Sequence, residues 1–303
     1  MITNGWRTLV IRSGERLCVR CGSIVVGFSD DRPEQEVPIS EVAVCLIESY
    51  QASITIPLLC ALLKSGVSVI LCDEKHTPFC EIAGVSEHNE TAGRILDQAA
   101  WTQERKDEIW AEIVRQKIKM QRFLLTQCAK HIPQGYSVMQ TKIMPGDPEN
   151  IEGQIARLYF KALFGRRFLR HSYDKENAAL DYGYCLLRTT CDRILYSYGY
   201  HTAIGIHHCS RRNRFNLSCD LIEPFRPFID ACVWEREMEL DQEGKRMLLE
   251  TLNMPTMYGD KIHTLSDSME LFVLDVMRSM RNSDCCIKEV GFVQSKMHSF
   301  SVL

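Results

Sequence analysis

Two stretches of the chain gather acids and histidines in patterns that could do chemistry. In the first, Asp147-Pro148 opens a helical pattern with Glu152 in its first turn. Asp147 reads as the N-cap and Pro148 as the first helical residue, where a missing amide proton breaks no hydrogen bond. Ile151, Ile155, Leu158, Tyr159 and Ala162 form the apolar stripe, and Ile155, Ala156 and Tyr159 stand at i+3, i+4 and i+7 from Glu152. The glutamate therefore borders the buried face. A carboxylate there needs a cation to receive it, either a metal ion or an arginine such as Arg157 or Arg166.

The second stretch runs from Gly205-Ile206-His207-His208 through Arg211, Arg212 and Arg214 to Phe215-Asn216-Leu217. It closes on Asp220-Leu221-Ile222-Glu223-Pro224-Phe225-Arg226-Pro227. Both prolines are tolerated if a helix begins near Glu223, which places Asp220 and Glu223 at a loop-to-helix junction. Backbone amides and the helix dipole favour anions at such a junction. Carboxylates joined by a histidine suit a hard divalent cation, Mg2+ or Mn2+. The competing reading is a surface turn of solvated charges. It explains Arg211 to Arg214, but not why acids and histidines share the turn.

The elements that must carry these residues divide the chain in two. Up to residue 85 the pattern is of short strands, at Leu9–Ile11, Leu17–Val19, Ile24–Val26, Val42–Ile47 and Val67–Cys72, with one helix at Thr55–Leu63. Residues 86–93 read as a linker. Beyond it Ile95–Ala129 has unbroken helical spacing, and further helices are expected at 148–165, 176–199, 224–240 and 266–282. The expected fold class is α+β: a small N-terminal β-rich domain (1–85) followed by a larger, mainly α-helical domain (94–291). Residues 292–303 lack a pattern and read as a mobile tail.

Bulk properties narrow the classes. A formal net charge of −3 does not advertise a nucleic-acid binder, so a DNA reading rests on local basic clusters. Arg115, Lys119 and Arg122 lie on one face of a helix; Lys161, Arg166, Arg167 and Arg170 follow the Glu152 helix; Arg211, Arg212 and Arg214 adjoin His208. The alternative for each cluster is a solvated helix face. The fourteen cysteines are scattered and follow no apolar leader, which points to free thiols in a reducing cytoplasm. Cys18 and Cys21 form a CxxC in a strand-like run with no second pair to complete a zinc site. The most apolar run, Ile54 to Cys72, is interrupted at Lys64-Ser65-Gly66, so no membrane span is expected.

The run G-I-H-H-x6-F-N-L-x2-D-L-I-E-P-F-R-P (Gly205 to Pro227) resembles a signature of the CRISPR-associated spacer-acquisition integrases. E-G-x2-A-x2-Y-F (Glu152 to Phe160), Leu180-Asp181-Tyr182-Gly183-Tyr184 and Ile113-Val114-x2-Lys117-Ile118-x2-Gln121 resemble others, with Asp181 where the family usually has Asn. The resemblance spans nearly the whole chain and looks closest to type II systems. It implies that Glu152, His208 and Glu223 hold the catalytic Mg2+ or Mn2+, that Asp220 supports them, and that His207 is not a ligand. It implies a metal-dependent DNA integrase and endonuclease, joining the 3′-hydroxyl of a short DNA fragment to a CRISPR repeat by direct transesterification. The implied partners are double-stranded DNA, a second copy of the chain docked through the N-terminal domain, and a small ferredoxin-like adaptation protein. A type II effector nuclease and a ring-shaped accessory protein complete the set. Two other classes are a non-catalytic DNA-bridging scaffold, which needs no metal ligands, and a phosphohydrolase of small nucleotides, for which the chain has no Gly-rich phosphate loop.

Overall fold

The computed structural model describes residues 7–13, 16–74, 78–82, 90–170, 172–236, 239–282 and 286–293. The chain divides into two compact units: Met1–Thr91 together with Tyr196–Gly199, and Ala92–Leu195 together with Tyr200–Leu303. The class is mixed α and β, with strands first and a mainly helical region after them. Half of the expected linker, residues 86–89, lies outside the described residues, as do residues 294–303 of the expected tail; the linker's last three residues, 91–93, are instead the first turn of a helix.

The first unit holds β1 (Arg7–Ile11), β2 (Arg16–Arg20), β3 (Ser23–Gly27), β4 (Gln35–Pro38), β5 (Val42–Ile47), β6 (Ser53–Ile54), α1 (Ile56–Lys64), β7 (Ser68–Cys72) and β8 (Pro78–Ile82). They form two four-stranded sheets, ordered β1-β5-β7-β8 and β4-β3-β2-β6. β5 and β7 pair in parallel, which requires a crossover, and α1 provides it. Leu58 and Leu62 of α1 are fully buried in one core with Ile11, Leu17, Ile24, Val42 and Val69. The CxxC is accounted for by the β2–β3 hairpin: Arg20 pairs with Ser23, and Cys21 and Gly22, both at positive φ, form its two-residue turn. Both thiols are free, with Cys21 exposed.

The second unit holds α2 (Thr91–Ala99), α3 (Gln103–Gln127), α4 (Tyr136–Gln140), α5 (Ile151–Phe164), α6 (Lys175–Ser197), α7 (Asn216–Leu221), a 3-10 turn (Glu223–Phe225), α8 (Arg226–Glu235), α9 (Gln242–Glu250), α10 (Leu265–Arg281) and three strands. The helix expected over 95–129 is two helices. Thr102 accepts a hydrogen bond from the Arg105 amide at 3.3 Å, and this cap starts α3 afresh. α3 is buried on most sides: Ile109, Trp110, Ile113, Val114, Ile118 and Leu124 are core, and so are the polar Gln116, Lys117 and Gln121. Such polar groups need partners. Gln116 finds them on the backbone of Lys288 and Val290.

The strands β9 (Pro255–Tyr258), β10 (Lys261–Thr264) and β11 (Val290–Phe292) form a small antiparallel sheet that sequence reasoning missed. β11 also corrects the expected start of the tail. Phe292 sits in the sheet, with ring centroids 5.5 Å from Phe123 and 4.2 Å from Phe228. Among the described residues no helix is long and apolar enough to cross a membrane.

Candidate metal centre

Glu152 is set by an unusual helix entry. Asp147 and Asn150 both adopt positive φ, and Asn150, not Asp147, is the N-cap of α5. Asp147 still serves the helix start: its carboxylate accepts from the amides of Ile151 and Glu152, each at 2.8 Å. Asn150 Oδ1 accepts from the Gly153 amide at 3.1 Å. The expected entry of Pro148 into the first helical position is therefore wrong, because the chain makes a left-handed turn after it and α5 begins at Ile151. A Cβ at Gly153 would lie 2.7 Å from Asn150 Oδ1, so this cap needs glycine after Glu152.

Asp220 organises the histidine loop. It lies within α7, not at a loop-to-helix junction as the prolines led us to expect, and it is fully buried. Its Oδ2 accepts from the amides of Ile206 at 2.7 Å and His207 at 3.0 Å. Oδ1 accepts from the His208 amide at 3.1 Å and faces His208 Nδ1 at 2.5 Å. A Cβ at Gly205 would collide with the His208 carbonyl, which makes the glycine obligatory in so tight a loop. Asn216 spans the loop by donating to the carbonyls of Ala203 and Ser210. The Asp220 carboxylate raises the His208 pKa, against the opposing effect of burial. With Nδ1 turned to Asp220, Nε2 is the nitrogen left to face a ligand, the carboxylate–histidine pairing common behind metal-bound imidazoles. His207 stacks flat on Trp110, centroids 4.2 Å apart at 3°, while His208 meets the same indole edge-on.

Glu223 follows in the 3-10 turn, and Pro227 takes the first turn of α8. The Glu223 carboxylate is buried between two cations. Its Oε1 lies 2.9 Å from Arg226 Nη2, and its Oε2 bonds Lys117 Nζ. The same ammonium bonds Glu152 Oε1. Burial pushes the Glu223 carboxyl up, but Arg226 and Lys117 outweigh it and hold it below the ordinary glutamate range. Burial likewise opposes charge on Lys117, yet Glu223 and Glu152 keep its pKa above the ordinary value. Glu152's partner is thus Lys117, and neither Arg157 nor Arg166 of the competing reading fills that place.

Beneath this centre Asp230 of α8 is fully buried and accepts from the hydroxyls of Tyr159 (2.8 Å) and Tyr184. Burial pushes its carboxyl up to about 6, although both hydroxyls pull the other way. The bonds tie α5, α6 and α8 together. The Tyr184 ring also carries the Arg226 guanidinium, 4.6 Å from its centroid.

The donor set fits a divalent cation. Two carboxylates on different elements converge on one cationic point, now the Lys117 ammonium. His208 stands close enough to Glu223 for each to favour the other's charged form. As the site stands, among the described residues no three His, Cys, Asp or Glu side chains are arranged to hold an ion, and the point where the two glutamates converge is taken by the ammonium. Lys117, Arg226, Asp230, Tyr184 and Trp110 are the residues that sequence reasoning did not place here. Lys117 carried one signal: a cation amid the apolar positions of α3 must meet an acid.

The candidate DNA contacts divide by their surroundings. Arg122, Arg166, Arg167, Arg211, Arg212 and Arg214 are exposed. Arg115 is near Glu112 at 3.5 Å, and Lys119 pairs with Glu289 at 2.5 Å. Arg170 is tied into the fold by Asn177 at 2.7 Å and by Asp181.

An N-terminal strand unit and a helical unit bearing two glutamates and an oriented histidine define a class that the comparisons with known proteins name. The family model for CRISPR associated protein Cas1 matches residues 8–241. The chain is 33% identical over 255 residues to the CRISPR-associated endonuclease Cas1 of Neisseria meningitidis serogroup C (strain 8013), covering 82% of this chain and 83% of that protein. Its fold resembles a casposase bound to integration product, with TM-score 0.79 and 20% identity over 98% of this chain and 100% of that one. It also resembles a Cas1 protein from Thermotoga maritima, with TM-score 0.75 and 16% identity over 92% and 98% of the two chains. The chain belongs to the Cas1 family of CRISPR-associated proteins, the family its motifs resemble.

Proposed function

We propose that this protein is a divalent-metal-dependent DNA integrase and endonuclease of CRISPR adaptation. The observation that carries the reading is the convergence of Glu152 and Glu223 on one cationic point beside His208. Relatives support it: the Neisseria meningitidis protein is named an endonuclease, and the casposase of similar fold is bound to integration product.

Glu152, Glu223 and His208 Nε2 would hold Mg2+ or Mn2+. When bound, the ion supplies charge stabilisation at a phosphate oxygen and at the leaving 3′-oxygen. Asp220 fixes the ring orientation and tautomer of His208. Arg226 keeps Glu223 ionised. The exposed Arg122, Arg166, Arg167, Arg211, Arg212 and Arg214 grip phosphates, giving affinity with little base information. With the fragment's 3′-hydroxyl as nucleophile the outcome is strand transfer to a CRISPR repeat; with water it is nicking. The chain would act in the cytoplasm as a homodimer joined through its N-terminal domain. It would work with a small ferredoxin-like adaptation partner and, in a type II system, with the effector nuclease and a ring-shaped accessory protein.

The test is transfer of an end-labelled duplex into repeat-bearing DNA, with Mg2+, Mn2+ or EDTA, for the wild type and Glu223→Gln. Metal-dependent joining that Glu223→Gln nearly abolishes is expected. DNA binding without joining by the wild type under any metal would make it a bridging scaffold instead.

A further inference from the structure

We propose that Lys117 and the divalent cation are alternative occupants of one position between Glu152 and Glu223, so that the lysine is a built-in counter-ion which the metal must displace. This rests on the metal reading above and adds a residue that regulates that site.

Lys117 Nζ bonds one oxygen of each glutamate, and these are the groups proposed to grip the ion. Only about 8% of its side chain is exposed, so the ammonium is shielded from water together with the carboxylates it joins. Two carboxylates brought together and largely buried repel each other unless a cation lies between them. Without metal, Lys117 is that cation. An ammonium and a divalent ion sharing the same oxygens would in turn repel each other at contact distance in a site screened from water. The backbone cannot retreat, because Ile113, Val114 and Ile118 around Lys117 are fully buried core. The flexible four-carbon stem is what can move. The metal-free centre is therefore held together and occupied, and an ion enters only by breaking a buried ion pair.

The prediction has a sign that a merely structural role does not share. Lys117→Met, and Lys117→Gln with a neutral donor in its place, should lower the melting temperature of metal-free protein and yet bind Mn2+ at least about tenfold more tightly, the competing charge being gone. Isothermal titration with MnCl2 reads this on the full chain without DNA, alongside wild type and Glu223→Gln. Equal or weaker Mn2+ binding by the Lys117 variants, with binding abolished in Glu223→Gln, would overturn the proposal and leave the metal reading standing. Unchanged Mn2+ binding in Glu223→Gln would overturn the metal reading itself, and this proposal with it. If neither neutral variant folds, wild type labelled with 15N at lysine Nζ decides. A protected ammonium resonance, assigned by its loss in Lys117→Arg, should shift or broaden on saturation with Mg2+. A resonance that stays unchanged at saturation would refute displacement.

Discussion

Replacing Asp220 by asparagine probes how the His208 loop is held and how its tautomer is chosen. The fully buried carboxylate accepts from the amides of Ile206, His207 and His208 and faces His208 Nδ1. Asparagine keeps the shape but turns one oxygen into an NH2. The remaining oxygen is best used on the amides of Ile206 and His207, which share Oδ2 at 2.7 and 3.0 Å. The NH2 then meets the His208 amide, 3.1 Å from Oδ1 in the wild type, donor against donor. Losing one charge-assisted bond and stranding a buried N–H costs about 2 to 4 kcal/mol. The NH2 also donates to Nδ1 and so moves the ring proton to Nε2, the nitrogen proposed to face the ion. Loss of such an orienting group typically weakens metal binding about 10- to 100-fold. Urea unfolding without metal and Mn2+ titration read the two effects separately. Unfolding within about 0.5 kcal/mol of wild type, together with unchanged Mn2+ affinity, would refute the account of this loop.

Three further outcomes follow. Asp230, with its carboxyl pushed up to about 6, is a raised-pKa acid: its contribution to stability is full below the unfolded value near 3.8 and lost as pH rises through 6. The loss is about 2 kcal/mol between pH 4 and 7, so the stability difference between wild type and Asp230→Asn should drift by that order over the same range, read by urea unfolding; a constant difference would be contrary. DNA affinity should fall steeply with salt although the protein is net acidic. Arg211→Ala, Arg212→Ala and Arg214→Ala combined should make the log–log slope shallower by up to about 0.9 for each phosphate no longer gripped, and a slope unaffected by the triple change would remove that cluster from the DNA path. Trp110→Ala, which takes away the platform under His207, should cost about 3 to 5 kcal/mol and weaken Mn2+ binding, whereas Trp110→Phe should recover much of both; equal metal affinity in all three proteins would separate the indole from the site.

Much of this was legible in the sequence because it is local. Ile151, Ile155 and Tyr159 put Glu152 on the edge of a buried face, and they lie on a buried face of α5. The run from Gly205 to Pro227 carries its own loop, its organising acid and Glu223 within one stretch, so its chemistry could be read without knowing the fold. What stayed hidden joins distant segments. Lys117 meets Glu152 across 35 residues and Glu223 across 106, and no spacing announces such a pair. Asp230 is read easily as a helix acid until Tyr159 and Tyr184 are seen to point their hydroxyls at it. The entry to α5 was misread because Asp147 and Asn150 take left-handed conformations, a choice that Asp and Asn tolerate but do not advertise. β9 alternates, with Thr256 and Tyr258 buried, but over only four residues and with one partner strand that comes after α10.

The central claim is that Glu152, His208 and Glu223 hold the ion that serves DNA strand transfer. Crystals soaked in MnCl2 and measured at the manganese absorption edge test it most directly. The account predicts an anomalous peak between the three side chains, about 2.0 to 2.3 Å from a carboxylate oxygen of each glutamate and from His208 Nε2. A peak bound elsewhere, or a soaked site with Lys117 still joining the two glutamates and no manganese beside them, would contradict it.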